Sequence, residues 1–214
     1  QMGIYTIEAL AHSDPMRLQK TLGVMGLQLY YHAWGLDASI LSQKVRPKSK
    51  SYSKNQILMR DYYEKAEILI VIKEMVGEVC ARLRKHQEKC QEVYLGIGYS
   101  DRNFQLGFTA RIKLVRPEHS TEIISEATRQ EFTKRWHGEP VRSVNITAGK
   151  IVPQGLEQLE LFFEGEEKKH AMDRVVDDLR GRFGKKTIFY AGSMAGGTFL
   201  ERADYVGGHK GKSE

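Results

Sequence analysis

Residues 104–114 read Phe104-Gln105-Leu106-Gly107-Phe108-Thr109-Ala110-Arg111-Ile112-Lys113-Leu114. Phe104, Leu106, Phe108, Ala110, Ile112 and Leu114 alternate with Gln105, Gly107, Thr109, Arg111 and Lys113. A period of two predicts a half-buried strand with one apolar and one polar face. Just upstream, Glu92 to Tyr99 is rich in β-branched and aromatic residues and reads as a second strand. Ser100-Asp101-Arg102-Asn103 between them has side chains that bond their own backbone, so the pair is a hairpin.

The flanks complete a layer. A strand over about Lys54 to Asp61 precedes a helix from Glu64 to His86, where Ile68, Ile72, Met75, Val79 and Leu83 form one apolar face. Ser120 can cap a second helix, Thr121 to Trp136, which Gly138-Glu139-Pro140 breaks. A last strand, Val141 to Thr147, places Val144 and Ile146 on one face and Ser143, Asn145 and Thr147 on the other. The order β-α-β-β-α-β predicts an α+β fold of the split, ferredoxin-like kind: a four-stranded sheet with both helices on one face. The other face carries Gln105, Thr109, Arg111, Lys113, Ser143, Asn145 and Thr147. It is polar and basic, and it is either solvated or meets a polar partner.

Around this layer the chain divides into residues 1–41, a basic linker at 42–51, the layer at 52–150 and a tail at 151–214. In the first part, Asp14 caps a helix from Pro15 to Leu22. Gly23-Val24-Met25-Gly26 turns it into a second helix, Leu27 to Trp34, stopped by Gly35. The linker, SQKVRPKSKS, lacks apolar periodicity. In the tail, Met172, Val175, Val176, Leu179 and Phe183 form a helical apolar stripe, beside which Asp173, Asp177 and Asp178 read as solvated carboxylates. The Gly-rich stretch after Tyr190 reads as loosely packed.

Composition narrows the function classes. The 214 residues carry 33 Lys and Arg against 27 Asp and Glu, a net charge of +6, and the charge is concentrated: Lys44 to Arg60 holds six cations and no acid. No apolar run approaches the roughly 20 residues of a membrane span, and no secretory signal opens the chain. Cys80 and Cys90 make neither a disulfide scaffold nor a zinc site, which fits a reducing cytoplasm. Catalytic constellations are missing: there is no Gly-x-Ser-x-Gly elbow, no phosphate loop ending in Lys-Ser/Thr, and the seven histidines lack metal-ligand spacing. No catalytic and no metal residue is assigned. The turn Gly23, Val24, Met25, Gly26 has two readings: an ordinary helix turn, or a helix-hairpin-helix unit whose backbone N–H groups reach a phosphate regardless of base.

The glycine hairpin, the basic linker and the β-α-β-β-α-β layer together resemble the thumb and little finger of Y-family, translesion DNA polymerases. Met2-Gly3-Ile4-Tyr5-Thr6-Ile7-Glu8-Ala9-Leu10-Ala11 is similar to the family's thumb segment, and Leu22 to Gly26 through Ala33 to Asp37 continues it. Arg46-Pro47-Lys48-Ser49 resembles the linker into the little finger, and Ala81-Arg82-Leu83-Arg84 the end of its first helix. The tail is most similar to the bacterial UmuC-like branch, and Gln158-Leu159-Glu160-Leu161-Phe162 resembles the pentapeptide that docks bacterial polymerases onto the sliding clamp.

The resemblance implies a partial thumb, a little finger and a helical tail that grip primer-template DNA without base preference. It implies DNA contacts at Gly23, Val24, Met25, Gly26, Lys48, Lys50, Lys54, Gln56, Arg60, Gln105, Thr109, Arg111, Lys113, Ser143 and Asn145. Clamp contacts fall at Gln158, Leu159, Glu160, Leu161 and Phe162. The palm, whose carboxylates hold the two magnesium ions of phosphoryl transfer, belongs upstream of the thumb, so this stretch is expected to need no cofactor and not to polymerise alone. It is expected to be a cytoplasmic monomer without membrane contact. Two other readings stay open: a free-standing nucleic-acid or protein-interaction module, and a small-molecule enzyme on the same layer.

Overall fold

A computed structural model describes residues 2–40, 42, 49–100, 106–155, 166–198, 200, 205–206 and 209–210. The chain forms two compact units, Gln1–Pro47 and Lys48–Glu214.

The first unit holds three helices: α1 (Ile7–Ala11), α2 (Pro15–Leu22) and α3 (Val24–Ala33). Thr6 and Asp14 cap α1 and α2 through their side chains, bonding the N–H groups of Ala9 and Met16. The second helix of the hairpin starts at Val24, three residues before the predicted Leu27, because Gly23 at φ 63° ends α2 and opens α3 in one residue. Trp34 Nε1 donates to the Ala11 carbonyl at 2.9 Å and ties the end of α3 back to α1.

The second unit contains β1 (Tyr52–Tyr62), α4 (Lys65–Lys85), β2 (Glu88–Tyr99), β3 (Gly107–Glu118), α5 (Thr121–Arg135), β4 (Val141–Pro153) and α6 (Glu166–Phe183). A 3-10 turn, Ala191–Met194, and a two-residue hairpin, β5 (Tyr205–Val206) with β6 (His209–Lys210), follow. The four long strands lie in the order β1-β4-β2-β3, and every neighbouring pair is antiparallel. β1 and β2 therefore run parallel with β4 between them, and β3 and β4 run parallel with β2 between them. Each helical crossover is a split β-α-β unit.

The core lies between the sheet and α4 with α5. The predicted α4 face, Ile68, Ile72, Met75, Val79 and Leu83, is almost fully buried. It meets Leu58 of β1, Val93, Leu95 and Ile97 of β2, and Val144 and Ile146 of β4, with Phe108, Ile112 and Leu114 of β3 packed against the cluster. α5 contributes Ile124 and Phe132, and Phe132 stacks on Trp136 with ring centroids 5.4 Å apart.

The predicted strand at 104–114 is shifted. β3 begins at Gly107, Leu106 is exposed ahead of it, and Phe104 and Gln105 fall outside the described residues. Gly107 has φ 123°, and a Cβ there would sit 1.9 Å from the Ile97 carbonyl oxygen, so the strand can enter its pairing only through a glycine. β4 in turn runs six residues past the predicted end at Thr147.

The tail differs most from expectation. The one buried residue of α6 among those described is an acid, Asp173, while Asp178 stays exposed as expected. Met172, Val175 and Phe183 of the apolar stripe are exposed, while Asp173 is buried and accepts from the N–H of Thr121 at 2.9 Å. Ser120 occupies the predicted N-cap position of α5 but makes no capping bond with its side chain, and Asp173 from α6 supplies an acceptor instead. Asp177 pairs with the buried Arg84 of α4, whose Nη1 also donates to the His119 carbonyl at 2.8 Å. The Gly-rich segment is packed as far as Thr198. Thr198 is buried, its N–H bonds Glu74 at 2.8 Å, and its hydroxyl accepts from Gln56 at 2.6 Å. Gly197 allows this approach, since a Cβ there would meet Glu74 Oε1 at 2.1 Å and Ser193 Cα at 2.7 Å.

Phe132→Ala should cost about 3–5 kcal/mol, because it leaves a cavity under α5. Val115→Ala, at a fully exposed side chain, should stay within about 0.5 kcal/mol. Urea denaturation of the two variants measures the contrast, and equal losses would place the core elsewhere.

Candidate nucleic-acid interface

With α4 and α5 on one side, alternate residues of every strand must face the other. The registers assemble these into rows. Ser53, Thr147, Tyr94 and Arg111 are successive cross-strand neighbours, as are Asn55, Asn145, Gly96 and Thr109, and Ile57, Ser143, Gly98 and Gly107. Thr109, Arg111, Lys113, Ser143 and Asn145 thus occupy the uncovered face together, as expected from their parity.

Hydrogen bonds organise that face. Ser53 Oγ and Thr147 Oγ1 are 2.9 Å apart, and Thr147 donates to Asn145 Oδ1 at 3.0 Å. Gly96, Gly98 and Gly107 supply no side chains, so the β2–β3 half of the face is low. The result is an open trough of about 370 Å³, walled by Thr109, Ser143 and Asn145. Gly-x-Gly inside a strand is a readable sign of close approach, and it went unused in the sequence reading.

The face's electrostatic centre is Glu92, which sequence reasoning also missed. Its carboxylate is buried beneath the side chains that use it. Arg111 binds both oxygens through Nε and Nη2, Lys150 Nζ lies 2.7 Å from Oε1, and Tyr94 donates its hydroxyl at 3.0 Å. The bond from Arg111, then that from Lys150, hold the Glu92 pKa down at about 2. Two cations therefore share one anion, and the cluster keeps a net positive charge. Lys113 stands exposed next to it, with no ion-pair partner among the described residues.

The β1 expectations need correction. Lys54, Gln56 and Arg60 belong with Leu58 and Tyr62 to the helix side of the strand, not to the uncovered face. Lys54 pairs with Glu78 of α4 at 2.8 Å, Gln56 is buried against Thr198, and Arg60 pairs with Glu67 and covers the Tyr62 ring. Parity explains the error: Ser53, Asn55 and Ile57 hold the outward positions, and Ile57 and Met59 make that edge partly apolar. Lys50 is engaged by Glu88 at 2.8 Å and lies over the Tyr52 ring. Lys48, Gln105 and the segment Gln158, Leu159, Glu160, Leu161, Phe162 lie outside the described residues.

In the helical unit the two glycines of the turn act differently. Gly26 is buried, and a Cβ there would meet the Leu18 carbonyl oxygen at 2.3 Å. It is a close contact between α2 and α3. Gly23 opens α3 with no side-chain cap, and Val24 and Met25 behind it are exposed. That helix start keeps its N–H groups without a side-chain acceptor.

The Glu92 cluster predicts a titration. A carboxyl held below its ordinary value of 4.5 lends stability above that value and loses it as pH falls through about 2. The Glu92 carboxylate therefore stays charged from about pH 5 to 8. Carboxyl-carbon NMR of the intact chain should place the Glu92 midpoint near 2, and a midpoint near 4.5 would mean the cluster does not form in solution.

The chain resembles known proteins along nearly its whole length. Residues 49–161 match the impB/mucB/samB family C-terminal domain. UvrX of Bacillus subtilis (strain 168), named for UV-damage repair, is 38% identical over 211 residues, 98% of this chain and 51% of that protein. DNA polymerase IV 2 of the same organism is 34% identical over 212 residues, with the same 98% and 51% coverage. Among solved structures, a Y-family DNA polymerase chimera aligns at a TM-score of 0.45 and 16% identity, over 71% of this chain and 42% of that one. The chain spans about half the length of the curated relatives it matches. It belongs to the impB/mucB/samB family, and its four-stranded layer lies within the residues that match that family's C-terminal domain.

Proposed function

We propose that this chain is the DNA-holding region of a damage-bypass polymerase, gripping primer-template DNA through its phosphates and not its bases. The observation that carries the reading is the uncovered sheet face, where Arg111, Lys113 and Lys150 stand beside a hydroxyl and amide ladder over a glycine floor. Every nucleotide offers the same phosphate oxygens, so such a face binds without sequence preference. Glu92 holds Arg111 in one geometry before DNA arrives, which lowers the ordering cost of the contact. The uncapped start of α3 and the basic linker, Lys48 included, are each a further place for a phosphate.

Binding of this kind follows counterion release. Engaging about five phosphates gives a log–log salt slope of roughly −4 to −5. Arg111→Ala with Lys113→Ala should flatten that slope by about one to two units, measured by fluorescence anisotropy on a primer-template across a salt series. An unchanged slope would remove the sheet face from the contact.

The second partner is the bacterial sliding clamp, reached through Gln158-Leu159-Glu160-Leu161-Phe162. This reading rests on the pentapeptide and its place just beyond β4. Gln158 would offer its amide to a polar spot, and Leu161 and Phe162 would fill an apolar pocket, concentrating the affinity in a few anchors. Leu161→Ala with Phe162→Ala should abolish clamp binding in surface plasmon resonance and leave the DNA salt slope as it was. Normal clamp binding by the double variant would make the segment structural.

A further inference from the structure

Glu118, His119 and His170 bring their ligand atoms within 4.8 Å of one another, at the corner where β3 turns into α5 and α6 crosses it. The site is built, not incidental. Glu118 Oε1 accepts from the N–H groups of His119 and Ser120 at 2.7 and 2.9 Å, which fixes the carboxylate. His170 Nε2 lies 3.6 Å from that oxygen and His119 Nδ1 lies 3.9 Å from it, with the two rings edge to face at 4.9 Å.

None of these contacts satisfies His119. Its side chain is more than nine-tenths buried, and Nδ1 has no hydrogen-bond partner among the described residues. A buried polar atom without a partner is costly and asks for a ligand. The nearby Arg84 charge is offset by Asp173 and Asp177.

We infer that Glu118, His119 and His170 form a binding site for a divalent first-row metal ion of the zinc type. Two imidazoles and one carboxylate are a ligand set that zinc accepts, with the fourth position left to water. Metal–ligand bonds of about 2.0–2.1 Å in a tetrahedron separate ligand atoms by about 3.3 Å, so the two Glu118–histidine distances need to close by about 0.3 and about 0.6 Å and the histidine pair by about 1.5 Å at most. Two ligands come from the β3–α5 corner and one from α6. The ion would therefore fasten the tail helix to the little finger, beside the bond by which Asp173 caps α5. The inference does not depend on DNA or clamp binding.

The test uses the full chain, freed of metal by chelator dialysis. Zinc titration by calorimetry should give one ion per chain, and zinc at about a hundredfold above its Kd should raise the Tm by about 5–10 °C. His170→Ala lies on a helix that tolerates alanine. It should weaken zinc binding at least about tenfold and abolish the thermal shift, with an unchanged circular dichroism spectrum. Glu118→Gln is the second variant, and it should weaken binding similarly. Cobalt should show the visible bands of a tetrahedral nitrogen and oxygen site. Failure to bind zinc, zinc binding that survives both substitutions, or a thiolate band in the cobalt spectrum would each overturn the assignment.

Discussion

Successive residues of a strand face opposite sides, and α4 and α5 lie on the same side of the sheet. Everything else in the larger unit follows from that constraint. Val93, Leu95 and Ile97 must go under the helices, so Glu92, Tyr94, Gly96 and Gly98 must go to the uncovered face. A one-residue slip of β2 would put the Glu92 carboxylate into the core and Val93 into solvent. Burial of the apolar set thus fixes the register, and the register fixes which polar groups can meet a partner. The face is held in place by the core behind it.

The tail is held by a different kind of force. α6 turns Asp173 and Asp177 toward the layer, keeps Asp178 exposed as expected, and leaves Met172, Val175 and Phe183 of its apolar stripe outside, unlike an ordinary surface helix. Arg84 makes this possible. It is buried at the end of α4, and burial alone would lower its pKa, but its bond to Asp177 and the charge of Asp173 raise it instead. Removing one partner of such a pair leaves a buried charge unpaired, which costs far more than the pair itself contributes. Glu74 of the same helix receives Thr198 in a similar way. Helix α4 therefore serves two layers, with apolar residues toward the sheet and buried polar residues toward the tail.

The order of elements, both helices of the layer, the hairpin and the parity of β3 and β4 were legible in the sequence, because long periodic segments report their buried side directly. What was hidden had no period. Lys54, Gln56 and Arg60 read as cations and an amide on a strand of uncertain facing, and only the pairing of Asn55 with Asn145 assigns the side. The inward acids of α6 were hidden because a carboxylate beside an apolar stripe usually faces water, and its partner Arg84 is remote in sequence. Glu92 looked like the first residue of a strand. Its role needs Arg111 from β3 and Lys150 from the end of β4 in the same place. The Glu118, His119 and His170 group was invisible for the same reason: two members are adjacent, and the third arrives on another helix.

The distribution of groups on the uncovered face bears on the proposed function. Arg111 and Lys113 lie on β3, with Lys150 reaching the same cluster from β4, whereas β1 presents Ser53, Asn55 and the apolar Ile57 and Met59. Charge is therefore graded across the sheet and not spread evenly. The hydroxyls and amides between the two edges are already bonded to one another, so they stay aligned but offer few unsatisfied donors to read base edges. A surface of this kind can follow a phosphate track along its β3 side and slide along it at little cost, since each step exchanges one phosphate for an equivalent one. A partner that demanded base readout would need free donors on the central strands. There β2 places Gly96 and Gly98, and glycine offers only backbone to an approaching helix of nucleotides.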